Sequence, residues 1–176
     1  VGDGSSTQNI KEGEQIRLED VLYCALTASA NEACNVLAQA VAGSVADFVD
    51  LMNQRAAELG MTGTSFANPN GLDQKGHYST ARDMARLAAC AVKNETLVRL
   101  CSTRSVTVGG RTMTNHNRLL RSIDGCIGLK TGYTRAAGRT LVSCVRRNGR
   151  TLVAVTLQDG NDWADHAALY EFGFGP

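Results

Sequence analysis

The sequence predicts an α/β protein of the α+β type, with an antiparallel sheet flanked by helices and joined to a helical subdomain. Three observations predict it. Apolar residues recur every three or four positions through the first half of the chain, the spacing of helices with one buried face. Strand-like runs replace that period towards the C-terminus, where Asn148-Gly149 between two of them is a strong short hairpin signal. The run Leu152-Val153-Ala154-Val155-Thr156-Leu157 is apolar on both faces, as in a strand covered by helices on both sides. We place the helical subdomain at about 18–101 and the sheet with its closing helix at about 102–176.

Element by element, Val1 to Arg17 is Gly-rich and polar and reads as loop or a short edge strand. Leu18 to Thr27 gives a first helix, with Leu18, Val21, Leu22 and Ala25 on one face. Asn31 to Val41 gives a second, with Cys34, Leu37, Ala38 and Val41 aligned, so Ser29 falls at the junction. Ser44 with Asp47 resembles a capping box opening a third helix to about Leu59, which Gly60 closes. Met61 to Tyr78 is a Gly/Asn/Asp-rich loop, long enough to suggest function. Thr80 to Lys93 is helical, with Met84, Leu87, Ala88 and Ala91 on its buried stripe. Ser102 to Val108 and Arg111 to Asn115, joined by Gly109-Gly110, form a hairpin with a primed turn. Cys126 to Thr134, Arg139 to Arg146 and Arg150 to Leu157 are three strands, and Asp162 to Phe172 is a closing helix around Trp163, Ala167 and Tyr170.

A chain of 176 residues is expected to form one domain with a real core. The balance of 18 basic against 17 acidic residues argues against a nucleic-acid partner or a polybasic membrane surface. Apolar runs such as Val21 to Leu26 and Leu87 to Val92 are too short to span a bilayer. The chain opens on Val1 and carries no signal peptide, which suggests a processed or truncated product. Of the six cysteines, no two are spaced as C-x-x-C, and the three histidines stand apart from them, so no metal and no cofactor are expected. Most cysteines fall in apolar patterns and read as buried thiols, although the spacing leaves a disulfide, and hence the compartment, open.

Two motifs carry chemistry. Ser29-Ala30-Asn31 lies between two helices, and Lys130-Thr131-Gly132 lies in a strand about a hundred residues on. Acyl transfer through serine needs a nucleophile, a proton acceptor and donors for the developing oxyanion. Lys130 supplies a cationic field that attracts an anionic substrate terminus, or a base once burial lowers its pKa. Thr131 offers a hydroxyl to a carboxylate, and Gly132 lets a substrate backbone approach the strand. Ser29 can relay a proton, and Asn31 can orient a lysine or a substrate amide. A nucleophilic serine three residues before a lysine is missing: Lys11, Lys75, Lys93 and Lys130 all lack one. The nucleophile is therefore unknown within this chain.

The resemblance extends beyond the motifs. Ser29-Ala30-Asn31-Glu32-Ala33, Glu58-Leu59-Gly60-Met61, Asn68-Pro69-Asn70-Gly71-Leu72-Asp73, Tyr78-Ser79-Thr80-Ala81-Arg82-Asp83-Met84, Asn115-His116-Asn117-Arg118-Leu119-Leu120 and Gly128-Leu129-Lys130-Thr131-Gly132-Tyr133-Thr134 closely resemble the serine D-alanyl-D-alanine carboxypeptidases, low-molecular-mass penicillin-binding proteins. The match runs in order along nearly the whole chain. It implies a β-lactamase/transpeptidase-like fold and removal of the terminal D-Ala from the pentapeptide stem of peptidoglycan. The implied route is a serine acyl-enzyme that β-lactams trap. Ser29, Asn31 and Lys130 would then assist catalysis, and Thr131, Gly132 and Tyr133 would bind substrate, Tyr133 through a backbone N–H in the oxyanion hole. His116 and Asn117 match a polar stretch near the cleft.

Residues 1–176 thus resemble the C-terminal part of a single catalytic domain, without the nucleophile helix and N-terminal strands. In that family the strand matching Arg150 to Leu157 pairs with an N-terminal strand. Here its edge is expected to be taken by a missing N-terminal segment or a second copy of the chain. The implied location is extracytoplasmic, in the bacterial cell envelope; family members often carry a C-terminal amphipathic anchor, and whether this protein is attached to a membrane stays open. Two rivals stand beside this reading. A class A β-lactamase-like hydrolase prefers Asp where Ala30 stands. A non-catalytic module that binds cell-wall peptides would also lack the nucleophile.

Overall fold

A computed structural model describes residues 6–175. Seven helices and five strands follow in the order α1 (Leu18–Leu26), α2 (Asn31–Ala42), α3 (Val45–Glu58), α4 (Ala81–Ala91), α5 (Glu95–Ser102), β1 (Ser105–Val108), β2 (Arg111–Thr114), α6 (Leu119–Ser122), β3 (Cys126–Thr134), β4 (Gly138–Arg147), β5 (Arg150–Leu157) and α7 (Asp162–Phe174). The expected capping box at Ser44 forms: its Oγ accepts from Asp47 N–H at 3.0 Å and donates to Asp47 Oδ2 at 2.7 Å. Gly60, at φ +69°, ends that helix, as a residue without a Cβ can.

Of the opening segment, residues 1–5 lie outside the described residues, and residues 6–17 form no strand. The proposed strand start at Ser102 is corrected as well. Ser102 closes α5, a helix capped by Asn94, whose Oδ1 accepts from Leu97 N–H at 3.0 Å. Val98, Leu100 and Cys101 are buried there, so a short amphipathic helix prevails over the β-branched character of Thr96 and Val98. The one-turn helix α6 also had no sequence expectation.

Two antiparallel sheets form: the β1–β2 hairpin and the three-stranded order β3-β4-β5. Asn148 (φ +50°) and Gly149 (φ +73°) both turn left-handed between β4 and β5, matching the right-handed strand twist. Alternate residues of β5 reach opposite layers. Val153 packs against the cluster of Ala88 from α4, Val92 just after it, and Val98 and Cys101 from α5, while Leu152 and Ala154 pack with Tyr170 of α7. The doubly apolar strand is therefore covered on both faces, as expected. Among the described residues β3 and β5 each keep one edge unpaired. All six cysteines are free thiols, with Cys24, Cys101 and Cys144 buried.

One buried polar node ties α7 to the sheet. Ser143 Oγ lies 2.6 Å from both His166 Nδ1 and Tyr170 Oη, and His166 Nε2 lies 3.2 Å from Thr156 Oγ1. Burial lowers the His166 pKa, against the opposing pull of Asp162, Asp159 and Asp165. The unfolded chain thus binds this proton more readily than the folded one. Stability is expected to fall as pH drops below about 6.5, the unfolded histidine value. Urea midpoints measured at pH 7.5 and pH 5 check this; His166→Gln should shrink the difference relative to the parent.

Candidate active site

Ser29 sits where α1 hands over to α2. Its neighbours Ala28 and Ala30 are buried, and Ser29 itself has φ +59°, an uncommon value for a residue with a Cβ. Such strain persists only where surrounding contacts fix it. Here Ala30 N–H donates to Cys24 O at 2.9 Å, Ser6 Oγ donates to Ala28 O at 2.9 Å, and Asn31 N–H donates to Ser6 O at 2.9 Å. The hydroxyl is left facing the edge of β3.

Across that gap, Lys130 Nζ donates to Ser29 Oγ at 2.9 Å and to Thr131 O at 2.7 Å. Neither partner is charged. Burial lowers the Lys130 pKa to about 8, with Cys34 and Cys101 opposing slightly. An amine in that range exchanges its proton readily near neutral pH, as a relay requires. Two motifs separated by a hundred residues of sequence thus meet through one hydrogen bond.

The cleft beside them has a volume of about 370 Å³ and is lined by Ser29, His116, Thr131, Gly132, Tyr133, Arg139, Thr140 and Trp163, with Ser6 and Asp162. Gly132 is needed for more than substrate approach: a Cβ there would lie 2.5 Å from Thr140 Oγ1. Asn31 opens α2 directly after this junction but is not among the residues lining the cleft.

His116 and Asn117 separate. Asn117 is fully buried; its N–H donates to Asn115 Oδ1 at 2.9 Å and its Oδ1 accepts from Leu119 N–H at 3.1 Å. Asn115 in turn donates to Cys101 O at 3.0 Å and Thr103 O at 3.1 Å. Asn117 does not line the cleft near which the resemblance put it, because its side chain is buried and its Oδ1 holds the backbone at the start of α6. With two inward asparagines on either side, His116 points outward into the cleft.

The far wall had no motif to announce it. Arg139 bonds the buried Asp162 through Nε and Nη2 and lies 5.4 Å from the centre of the Trp163 ring, which Arg118 also approaches at 5.8 Å. Register alone could have found Arg139, since it pairs with Tyr133 across the β3–β4 hairpin. Among the described residues no group of three or more His, Cys, Asp or Glu side chains is arranged to hold a metal ion.

A helix-flanked antiparallel sheet thus brings the separated Ser-x-Asn and Lys-Thr-Gly motifs together, with Ser29 and Lys130 bonded at the edge of one strand. The sequence profile of the D-alanyl-D-alanine carboxypeptidases matches residues 2–161, and the chain belongs to that family. It is 35% identical over 157 residues to the D-alanyl-D-alanine carboxypeptidase DacF of Bacillus subtilis, covering 86% of this chain and 40% of that protein. It is 37% identical over 156 residues to DacC of Escherichia coli, covering 88% of this chain and 39% of that protein. The chain thus spans about two fifths of the length of these relatives. The crystal structure of the Streptomyces K15 DD-transpeptidase superposes with a TM-score of 0.91 at 28% identity, over 97% of this chain and 72% of that one. Penicillin-binding protein D2 of Listeria monocytogenes, in its cefotaxime-bound form, superposes with a TM-score of 0.88 at 31% identity, over 97% of this chain and 72% of that one.

Proposed function

We propose that this chain is the supporting part of a serine D,D-peptidase that removes the terminal D-Ala from peptidoglycan pentapeptide stems and is acylated by β-lactams. The observation that carries this reading is the 2.9 Å hydrogen bond from Lys130 to Ser29, beside a cleft that Ser29 and Thr131 line and Lys130 itself does not. Lys130 and Ser29 relay protons to and from the nucleophile. Asn31, at the start of α2, orients the lysine or the substrate amide. Thr131 and Gly132 receive the substrate along the unpaired edge of β3, and the N–H of Tyr133 serves the oxyanion. Since no Ser-x-x-Lys occurs among the 176 residues, the nucleophile comes from polypeptide outside them.

The same logic applies to the open edge of β5, which carries apolar residues packed on both faces and bare backbone groups along one side. An edge of that kind is a template for pairing. We place there a polypeptide segment from outside the chain, or a second copy of it. The substrate fixes the place of work as the cell envelope, outside the cytoplasm. On this reading the chain divides at about residue 101 into a helical part bearing Ser29 and a sheet part bearing Lys130, with the cleft between them.

Release of D-alanine from a diacyl-Lys-D-Ala-D-Ala peptide by the nucleophile-bearing protein tests the activity. Release is expected, and penicillin should block it. Peptide binding without release would favour the non-catalytic module, whose support is the missing nucleophile. Rapid turnover of penicillin would favour the β-lactamase-like hydrolase.

A further inference from the structure

An acyl-enzyme must be hydrolysed, and that step needs a base near the attacking water. Among the described residues, Lys130 suits it poorly, because its Nζ is already committed to Ser29 Oγ and Thr131 O. Asp162 is likewise held by Arg139. Arg139 offers only donors and no acceptor lone pair, and Tyr133 presents a phenol hydroxyl. His116 differs from all of these. It lines the same cleft as Ser29 and Thr131, and its imidazole makes no hydrogen bond with any described residue. Its presentation is rigid, since the buried Asn115 and Asn117 anchor the backbone on both sides through the four hydrogen bonds described above. A fixed imidazole in a cleft, without a hydrogen-bond partner among the described residues, is poised for a ligand rather than for packing.

Resting on the proposed function, we infer that His116 is the general base of deacylation, taking a proton from the water that attacks the acyl carbonyl. The water oxygen bonds to the carbonyl carbon, the C=O electron pair moves to oxygen, and one water proton passes to the imidazole. The intermediate then collapses: the bond from carbon to the serine oxygen breaks, and that oxygen takes a proton from Lys130 through Ser29. The product acid leaves as a carboxylate, and its proton and that of the imidazolium pass through solvent, restoring Lys130 and neutral His116. Burial, and secondarily the Lys130 charge, lower the His116 pKa, so the ring is in its basic form at neutral pH. The charged and titratable groups around it are Lys130 from β3, Arg139 from β4 and Asp162 from α7, with Tyr133 beside them.

The test separates acylation from deacylation in the nucleophile-bearing protein, using a chromogenic β-lactam and a D-Ala-D-Ala peptide thioester. In the parent, the deacylation constant should rise with pH through one apparent pKa below about 6.5 and then level off. His116→Gln, which keeps the side-chain volume, should lower deacylation about 100-fold or more. Acylation should change far less, so acyl-enzyme accumulates, and the acid limb disappears. Imidazole added to His116→Ala should restore part of the lost rate. Deacylation unchanged in both variants, or acylation falling in step with it, overturns the assignment while leaving the activity in place. Absence of any acyl-enzyme in the parent overturns the proposed function itself, and this inference with it.

Discussion

Replacing Lys130 with alanine in the nucleophile-bearing protein is expected to slow D-Ala release and β-lactam acylation together, by about 10²–10³-fold. The alanine leaves Ser29 Oγ without its 2.9 Å donor and removes the cation from the β3 edge of the cleft. Both losses fall on the reacting state, so kcat and kcat/KM should drop in parallel. Any limb of the rate profile near pH 8, where burial has put the lysine, should vanish too. Folding gives the control. Burial disfavours the charged amine, so its removal should not weaken the fold at pH 7, and the urea midpoint should stay near the parent value. Wild-type kcat/KM in the variant would remove Lys130 from the mechanism.

Leu141→Ala should destabilise the protein by about 2–5 kcal/mol. Leu141 has no exposed surface and sits on the central strand β4, paired with Thr131 on one side and Thr156 on the other. Truncation there removes three methyl or methylene-level groups' worth of packing from a strand that cannot collapse inward without moving both neighbours. A lower urea midpoint at constant m-value checks it, against Leu169→Ala as reference. Leu169 is 46% exposed on α7, and its truncation should cost about 0.5 kcal/mol or less. Equal effects at the two sites would contradict the packing described.

The long elements were legible because a single face of each is apolar. The periods that place Val21 and Ala25 in α1, or Ala88 in α4, are the ones that bury them. Strands β3 and β5 were legible from their residues and turn chemistry, with Asn148-Gly149 tying β4 to β5. Helix α5 was not, because eight residues give barely two turns of pattern and Thr96 and Val98 suit a strand equally. At the site, Ser29 and Lys130 were readable as a pair because relay chemistry demands contact, and the 2.9 Å bond supplies it. No motif marked Arg139, Asp162 and Trp163: the β3–β4 register could have placed Arg139 opposite Tyr133, but Asp162 and Trp163 reach it only through the start of α7. Asn117 shows the opposite limit. A polar residue beside a cleft residue in sequence can face inward when the backbone needs its amide.

On the proposed function, these residues support a nucleophile that they do not themselves contain. Peptide mapping of the covalent adduct formed when the nucleophile-bearing protein meets a labelled β-lactam tests it most directly. The predicted result is one label per protein, on a serine three residues before a lysine and outside the 176 residues described by this sequence. A label on Ser29, or on any other serine within the chain, would contradict it.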